Sequence, residues 1–175
     1  TAKKGEDTFH DFRNQPIKLD VVQLSIDVPI YRMNNKRTYT DQSEYMLMEK
    51  KDKDFFEKGQ EIESIQQLQH NFLSDLARKG KDGSVTPIID VLKKEGQRER
   101  ILITSSGVVV NGNRRLAAMR ELYDEGNSDM DYILCMVLPE DATAKEIIRI
   151  EARLQGKQET KLDYDWIGDG ELINE

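Results

Sequence analysis

The chain has 175 residues, with 26 Lys and Arg against 33 Asp and Glu, a formal net charge of −7, and 37% apolar residues. That length suits one ordinary domain with an arm or two. The acidic balance excludes a whole-surface electrostatic grip on DNA, which needs clustered Lys and Arg.

In chain order, residues 1–19 are polar and without periodicity, and read as an arm. Val21-Val22-Gln23-Leu24-Ser25-Ile26 alternates and predicts a first strand ending near Pro29. Tyr31 to Thr38 is a loop, and Thr40-Asp41 caps a short helix around Glu44 to Met48. Residues 49–60 are charged and read as a linker or helix start. Ile62, Ile65, Leu68, Phe72, Leu73 and Leu76 then recur at steps of three and four, the apolar face of an amphipathic helix that stops by Gly80.

Pro87 to Leu92 reads as a strand. Ile101-Leu102-Ile103-Thr104 and Val108-Val109-Val110 read as a hairpin turning on Ser105-Ser106-Gly107. Arg114 to Tyr123 reads as a helix with Leu116, Ala117, Met119 and Tyr123 inward. Tyr132 to Leu138 is the most apolar strand, and Cys135 within it is a buried structural thiol without a disulfide partner. Thr143-Ala144-Lys145-Glu146 is a capping box opening a helix with Ile147, Ile148 and Leu154 inward. The tail is polar, and its cluster of Asp163, Asp165 and Asp169 reads as an exposed acidic stretch. The expected order is β-α-α-β-β-β-α-β-α.

No apolar run approaches the roughly 20 residues of a membrane span. The polar N-terminus shows no signal peptide, so a cytoplasmic protein is expected. The start at Thr1 and stop at Glu175 fit a piece of a longer chain.

Chemistry concentrates at Val108-Val109-Val110-Asn111-Gly112-Asn113-Arg114-Arg115, where a strand feeds a Gly-containing turn that opens a helix. N–H groups at a helix start lack internal acceptors and carry partial positive charge, so they bind anions. Gly112 permits close approach or a positive φ. Arg114 and Arg115 add fork-shaped, charge-assisted donors for phosphate oxygens. Arg98, Arg100, Arg114, Arg115 and Arg120 together are the candidate local basic patch. The alternative is a strand–turn–helix junction with two solvated arginines.

The order of segments resembles the N-terminal domain of ParB partition proteins. There a helix precedes a Gln-Pro-Ile-like segment, and a later Gly-Glu-Arg-Arg enters an Ala-rich helix. Gly112, Arg114, Arg115 and Ala118 match that pattern. Thr86 stands in place of the Gln, and Asn113 in place of the Glu. Val28-Pro29-Ile30-Tyr31-Arg32 through Arg37 is similar to the first box. Glu151-Ala152-Arg153-Leu154-Gln155 falls at the third box, where Ala152 and Arg153 replace the Glu and Asn used around the triphosphate and its Mg²⁺. Glu151 is displaced by one position as a substitute carboxylate. The resemblance covers about residues 20–160.

The resemblance implies an α+β fold of ParB/sulfiredoxin type, a small mixed sheet with helices packed on it. The domain would occupy 20–158, with an arm at 1–19 and a tail at 159–175. It implies a nucleoside triphosphate, CTP first and ATP second, accompanied by Mg²⁺. The binding set would be Asn111, Gly112, Asn113, Arg114, Arg115, Thr86, Arg32, Arg37 and Gln155. Glu151 would be the catalytic candidate for slow hydrolysis, with no protein-held metal. A homodimer, or regions outside the chain, would handle DNA in partition, plasmid maintenance or phage defence. Sulfiredoxin thiol chemistry and free-serine kinase chemistry of this fold lack their Cys and His residues here. Two rivals remain: a ParB-like nuclease or nickase, and an inactive interaction module of the same fold.

Overall fold

A computed structural model of the chain describes residues 2–79 and 86–156. The expected tail at 159–175, the Gly80 helix stop and the Asp163 cluster lie outside them.

Residues 2–19 belong to a hairpin and are not an arm. Strand β1 (Ala2–Phe12) pairs antiparallel with β2 (Gln15–Ser25). Arg13 and Asn14 both hold positive φ, 54° and 55°, as a two-residue type I′ turn requires. Arg13 is an unusual residue for that turn. It is anchored by Glu146, whose Oε2 accepts from Nε at 2.7 Å, and by Asp141, and it lies over the Phe12 ring. β1 was hidden because only Phe9 and Phe12 face inward, so alternation across the strand is nearly absent.

Three further strands complete the sheet: β3 (Ile101–Ile103), β4 (Val109–Asn111) and β5 (Tyr132–Val137). Their order is β1-β2-β5-β3-β4. β5 runs parallel to β3 and the other pairings are antiparallel. The β3–β4 hairpin and the apolar strand β5 lie where the sequence places them.

The helices are α1 (Tyr39–Met48), α2 (Phe55–Lys58), α3 (Glu63–Arg78), α4 (Ile88–Glu95) and α5 (Asn113–Asp124). A last helix, α6, is described over 144–156. The amphipathic stretch becomes α3, with Ile65, Leu73 and Ala77 buried. α1 starts at Tyr39, ahead of the expected Thr40-Asp41 cap, and Thr38 is its N-cap.

The Pro87–Leu92 strand is overturned. Pro87 is the N-cap of α4, and Ile89 and Leu92 are its buried residues. A short apolar run is compatible with either element. Here the spacing of three wins, and Val91 is turned outward, 37% exposed.

Adjacent strand residues point to opposite faces, and each face carries a core. Ile101, Ile103, Val109, Ile133 and Cys135 meet Leu73 of α3, Leu92 of α4 and Leu116, Met119 and Leu122 of α5. Leu102, Val110 and Leu138 meet Phe9, Phe12 and Leu19 of the hairpin and Ile150 of α6. The result is a three-layer α+β arrangement with a mixed sheet. Cys135 is fully buried, and burial pushes its thiol up to about 12. The Thr143 capping box forms reciprocally, Thr143 N–H to Glu146 Oε1 and Glu146 N–H to Thr143 Oγ1. Ile147 and Leu154 pack inward as expected, but Ile148 is 49% exposed and Ile150 takes its place; likewise on α5 Tyr123 is turned outward and Leu122 is buried instead. No helix among the described residues is long and apolar enough to cross a membrane.

Candidate functional site

A third, smaller core of Met33, Phe56 and Ile65 seats α1 and α2 against α3. Between it and the sheet runs the loop 31–33, held by amide side chains. Gln66 accepts the Tyr31 N–H and donates to the Tyr31 carbonyl, both at 2.8 Å. Gln60 donates to that same carbonyl and accepts the Met33 N–H at 2.9 Å. Gln69 donates to Arg32 O, Gln42 donates to Met33 O, and Asn113 Oδ1 accepts the Arg32 N–H at 3.1 Å. Side chains thus do for this loop what a neighbouring strand would do for a β-segment. Gln42 and Gln69 are buried and bonded to each other and to Thr38.

This loop brings Arg32 and Arg37 toward the start of α5. A cavity of about 270 Å³ opens there. It is lined by Lys36 and Arg37, by Asn111 to Arg115, by Glu99, and by Ile148, Glu151, Ala152 and Gln155 of α6. Of the residues singled out by sequence, Arg37, Asn111, Gly112, Asn113, Arg114, Arg115, Glu151 and Gln155 converge on one space. Arg32 reaches it indirectly, through an ion pair with Glu151. Thr86 is exposed and is not among the lining residues.

Gly112 is the N-cap of α5 at φ 105° and, as a glycine, supplies no side-chain cap. Its first-turn N–H groups, which an α-helix leaves without internal acceptors, belong to lining residues. A Cβ at Gly112 would meet Ile101 Cδ1 at 2.8 Å and the Arg115 guanidinium at 3.1 Å.

The two arginines have different tasks. Arg115 is buried and donates to the Glu99 carbonyl at 3.0 Å and to Asn111 Oδ1 at 2.9 Å. It braces the approach to β3, which the sequence does not reveal. Arg114 makes no hydrogen bond or ion pair with any described residue. Burial pushes its guanidinium down to about 10, and the nearby charges of Arg37 and Arg115 push the same way. A largely desolvated, unpaired cation beside two others is costly, and an anion would relieve that cost.

The other arginines of the expected basic patch are spent locally. Arg98 pairs with Glu95 and Arg100 with Asp7, while Arg120 donates to the Ile26 and Pro29 carbonyls. Asn113 is equally committed: besides holding Arg32 it donates to Val109 O at 3.2 Å. Its side chain is a brace, and only its backbone N–H is left for a ligand.

Burial pushes the Glu151 carboxyl up to about 7, against the downward pull of Arg32. Among the described residues no three His, Cys, Asp or Glu side chains are placed so that they could hold a metal ion. Of the two carboxylates lining the cavity, Glu151 is engaged by Arg32 and Glu99 lies 3.6 Å from Arg115. The residues present therefore do not fit a protein-held Mg²⁺. A second cavity, about 510 Å³, is lined by Asp27, Glu61, Glu63 and Asp124 together with His70 and Tyr31. Its carboxylates disfavour anions.

Compared with protein-family models, with curated proteins and with solved structures, the chain matches none.

Proposed function

We propose that the chain binds a nucleoside triphosphate, CTP or ATP, by its phosphates at the start of α5. The observation that carries this reading is Arg114: mostly buried, without a partner among the described residues, and beside Arg37, Arg115 and a helix N-terminus whose cap residue, Gly112, has no side chain. Backbone N–H groups and guanidinium forks meeting at one concave site form a phosphate receptor. The similarity of Gly112, Arg114, Arg115 and Ala118 to the ParB pattern supports a nucleotide as the phosphate carrier, in a DNA-associated process. Mg²⁺ would arrive on the nucleotide as part of the substrate, held by its phosphates. Glu151, with its carboxyl near 7, suits a slow hydrolytic base once Arg32 turns from it to the phosphates.

The test is calorimetric titration of CTP, ATP and GTP with Mg²⁺ into wild type and Arg114→Ala. One nucleotide should bind, and the substitution should weaken it by roughly tenfold or more, about 1.4 kcal/mol. Absence of binding to the wild type overturns the reading and leaves the two rivals, a ParB-like nuclease, which a plasmid-nicking assay with Mg²⁺ tests, and the inactive interaction module.

A further inference from the structure

The cavity has two kinds of wall. One is cationic, from Arg37, Arg114 and Arg115. The other is the face of α6 that carries Ile148, Ala152 and Gln155, all lining the same space. These residues sit at i, i+4 and i+7, one stripe of a helix. The stripe beside it, Ile147, Ile150 and Leu154, is what the core uses. Ile148 is therefore not a core residue with incidental exposure: it is 49% exposed where it borders the cavity. Ile88, at the start of α4, adds a second apolar side chain. Gln155 makes no hydrogen bond with any described residue, so its amide has both a donor and an acceptor to offer.

A bare polyphosphate has no use for such a wall. Two isoleucines and an alanine offer it no hydrogen bond, and covering them with a polyanion would strip water from charge without compensation. A planar ring with an apolar face and a hydrogen-bonding edge fits all three features. Isoleucine contacts the face, Ala152 leaves room for it to lie against the helix, and the amide meets the edge.

We propose that the α6 stripe Ile148–Ala152–Gln155 holds the nucleoside end of the ligand, so that recognition of the organic group is separate from the phosphate grip on α5. This rests on the phosphate reading of the Arg114 wall. It makes the site selective for nucleotides over inorganic polyphosphate, and it assigns base preference to α6.

The experiment compares inorganic tripolyphosphate with CTP and ATP on the full chain, in wild type, Ala152→Trp and Ile148→Ser. Both positions border the cavity outside the buried core, so the fold tolerates the changes. Wild type should bind its preferred nucleotide at least tenfold more tightly than tripolyphosphate. Each variant should erase most of that preference while holding tripolyphosphate affinity within about twofold. Equal binding of nucleotide and tripolyphosphate by the wild type overturns the proposal and leaves the phosphate site standing. So does a parallel loss of both ligands in the variants, which would put phosphate on this wall. Failure of the wild type to bind any of them removes the phosphate site, and this inference with it.

Discussion

Gln66 holds Tyr31 by both backbone groups, accepting its N–H and donating to its carbonyl at 2.8 Å. A glutamine on α3 thereby replaces the strand that loop 31–33 lacks, and the position of Arg32 depends on it. Gln66→Leu keeps the approximate volume and removes both bonds. It should destabilise the fold by about 1–3 kcal/mol, since the part-buried Tyr31 N–H loses its partner while the carbonyl keeps only Gln60. Denaturant unfolding measures this, with an unchanged m-value expected.

Arg114 and Arg115 are neighbours with opposite predicted effects on stability. Arg115→Ala removes a buried guanidinium bonded to Glu99 O and Asn111 Oδ1, and should cost about 1–3 kcal/mol. Arg115→Lys should not restore it, because one ammonium cannot reproduce the fork. Arg114→Ala removes a cation that burial disfavours and that has no partner among the described residues, so the unliganded protein should be as stable as wild type or more so. Thermal melts without ligand decide the matter, and a large loss from Arg114→Ala would show that it has a structural partner after all.

Gly112→Ala meets two obstacles. The φ of 105° is one that L side chains rarely adopt, and the new Cβ would press on Ile101 and the Arg115 guanidinium. A cost on the order of 1–3 kcal/mol is expected, together with weaker ligand binding as the α5 N-terminus shifts. Comparing melting temperature with nucleotide affinity in this one variant reads both.

Glu151 makes stability depend on pH in a definite direction. Its folded-state carboxyl is raised from 4.5 to about 7, so the folded protein holds this proton where the unfolded chain has released it. Its contribution is full below pH 4.5 and declines as pH rises toward about 7, then stays flat above. Glu151→Gln cannot titrate. The difference in melting temperature between variant and wild type, followed from pH 4.5 to 8, should change through that window. A difference that stays constant would contradict the raised carboxyl.

What the sequence made legible follows the strength of each local signal. α3 is visible because a sixteen-residue helix repeats its apolar face several times. The Thr143 box is visible because capping is chemistry between residues three apart. β1 is not, because an edge strand that buries only Phe9 and Phe12 looks like a polar tail. Nor is the Arg13-Asn14 turn, whose positive φ at an arginine is supported by Glu146, far away in the chain. The strand–turn–helix at Gly112 is legible from its local pattern, whereas only the family resemblance points from it to Arg37, Glu151 and Gln155, which line the same cavity. The glutamine clamp was not, since Gln42, Gln60, Gln66 and Gln69 have no pattern until α1, α2 and α3 are packed.

The hairpin has a consequence for the order in which the protein assembles. Arg13 meets Glu146 across 133 positions and Asn14 meets Arg153 across 139, so this turn, synthesised long before α6, finds its anchors only when α6 has followed. Until then Phe9 and Phe12 have no Ile150 to pack against, and the N-terminal strand pair is left with an apolar side uncovered. Long-range closures of this kind slow folding and prolong exposure of strand edges. The cavity therefore gains its α6 wall last, and a nascent chain cannot engage a ligand there before synthesis has passed residue 155.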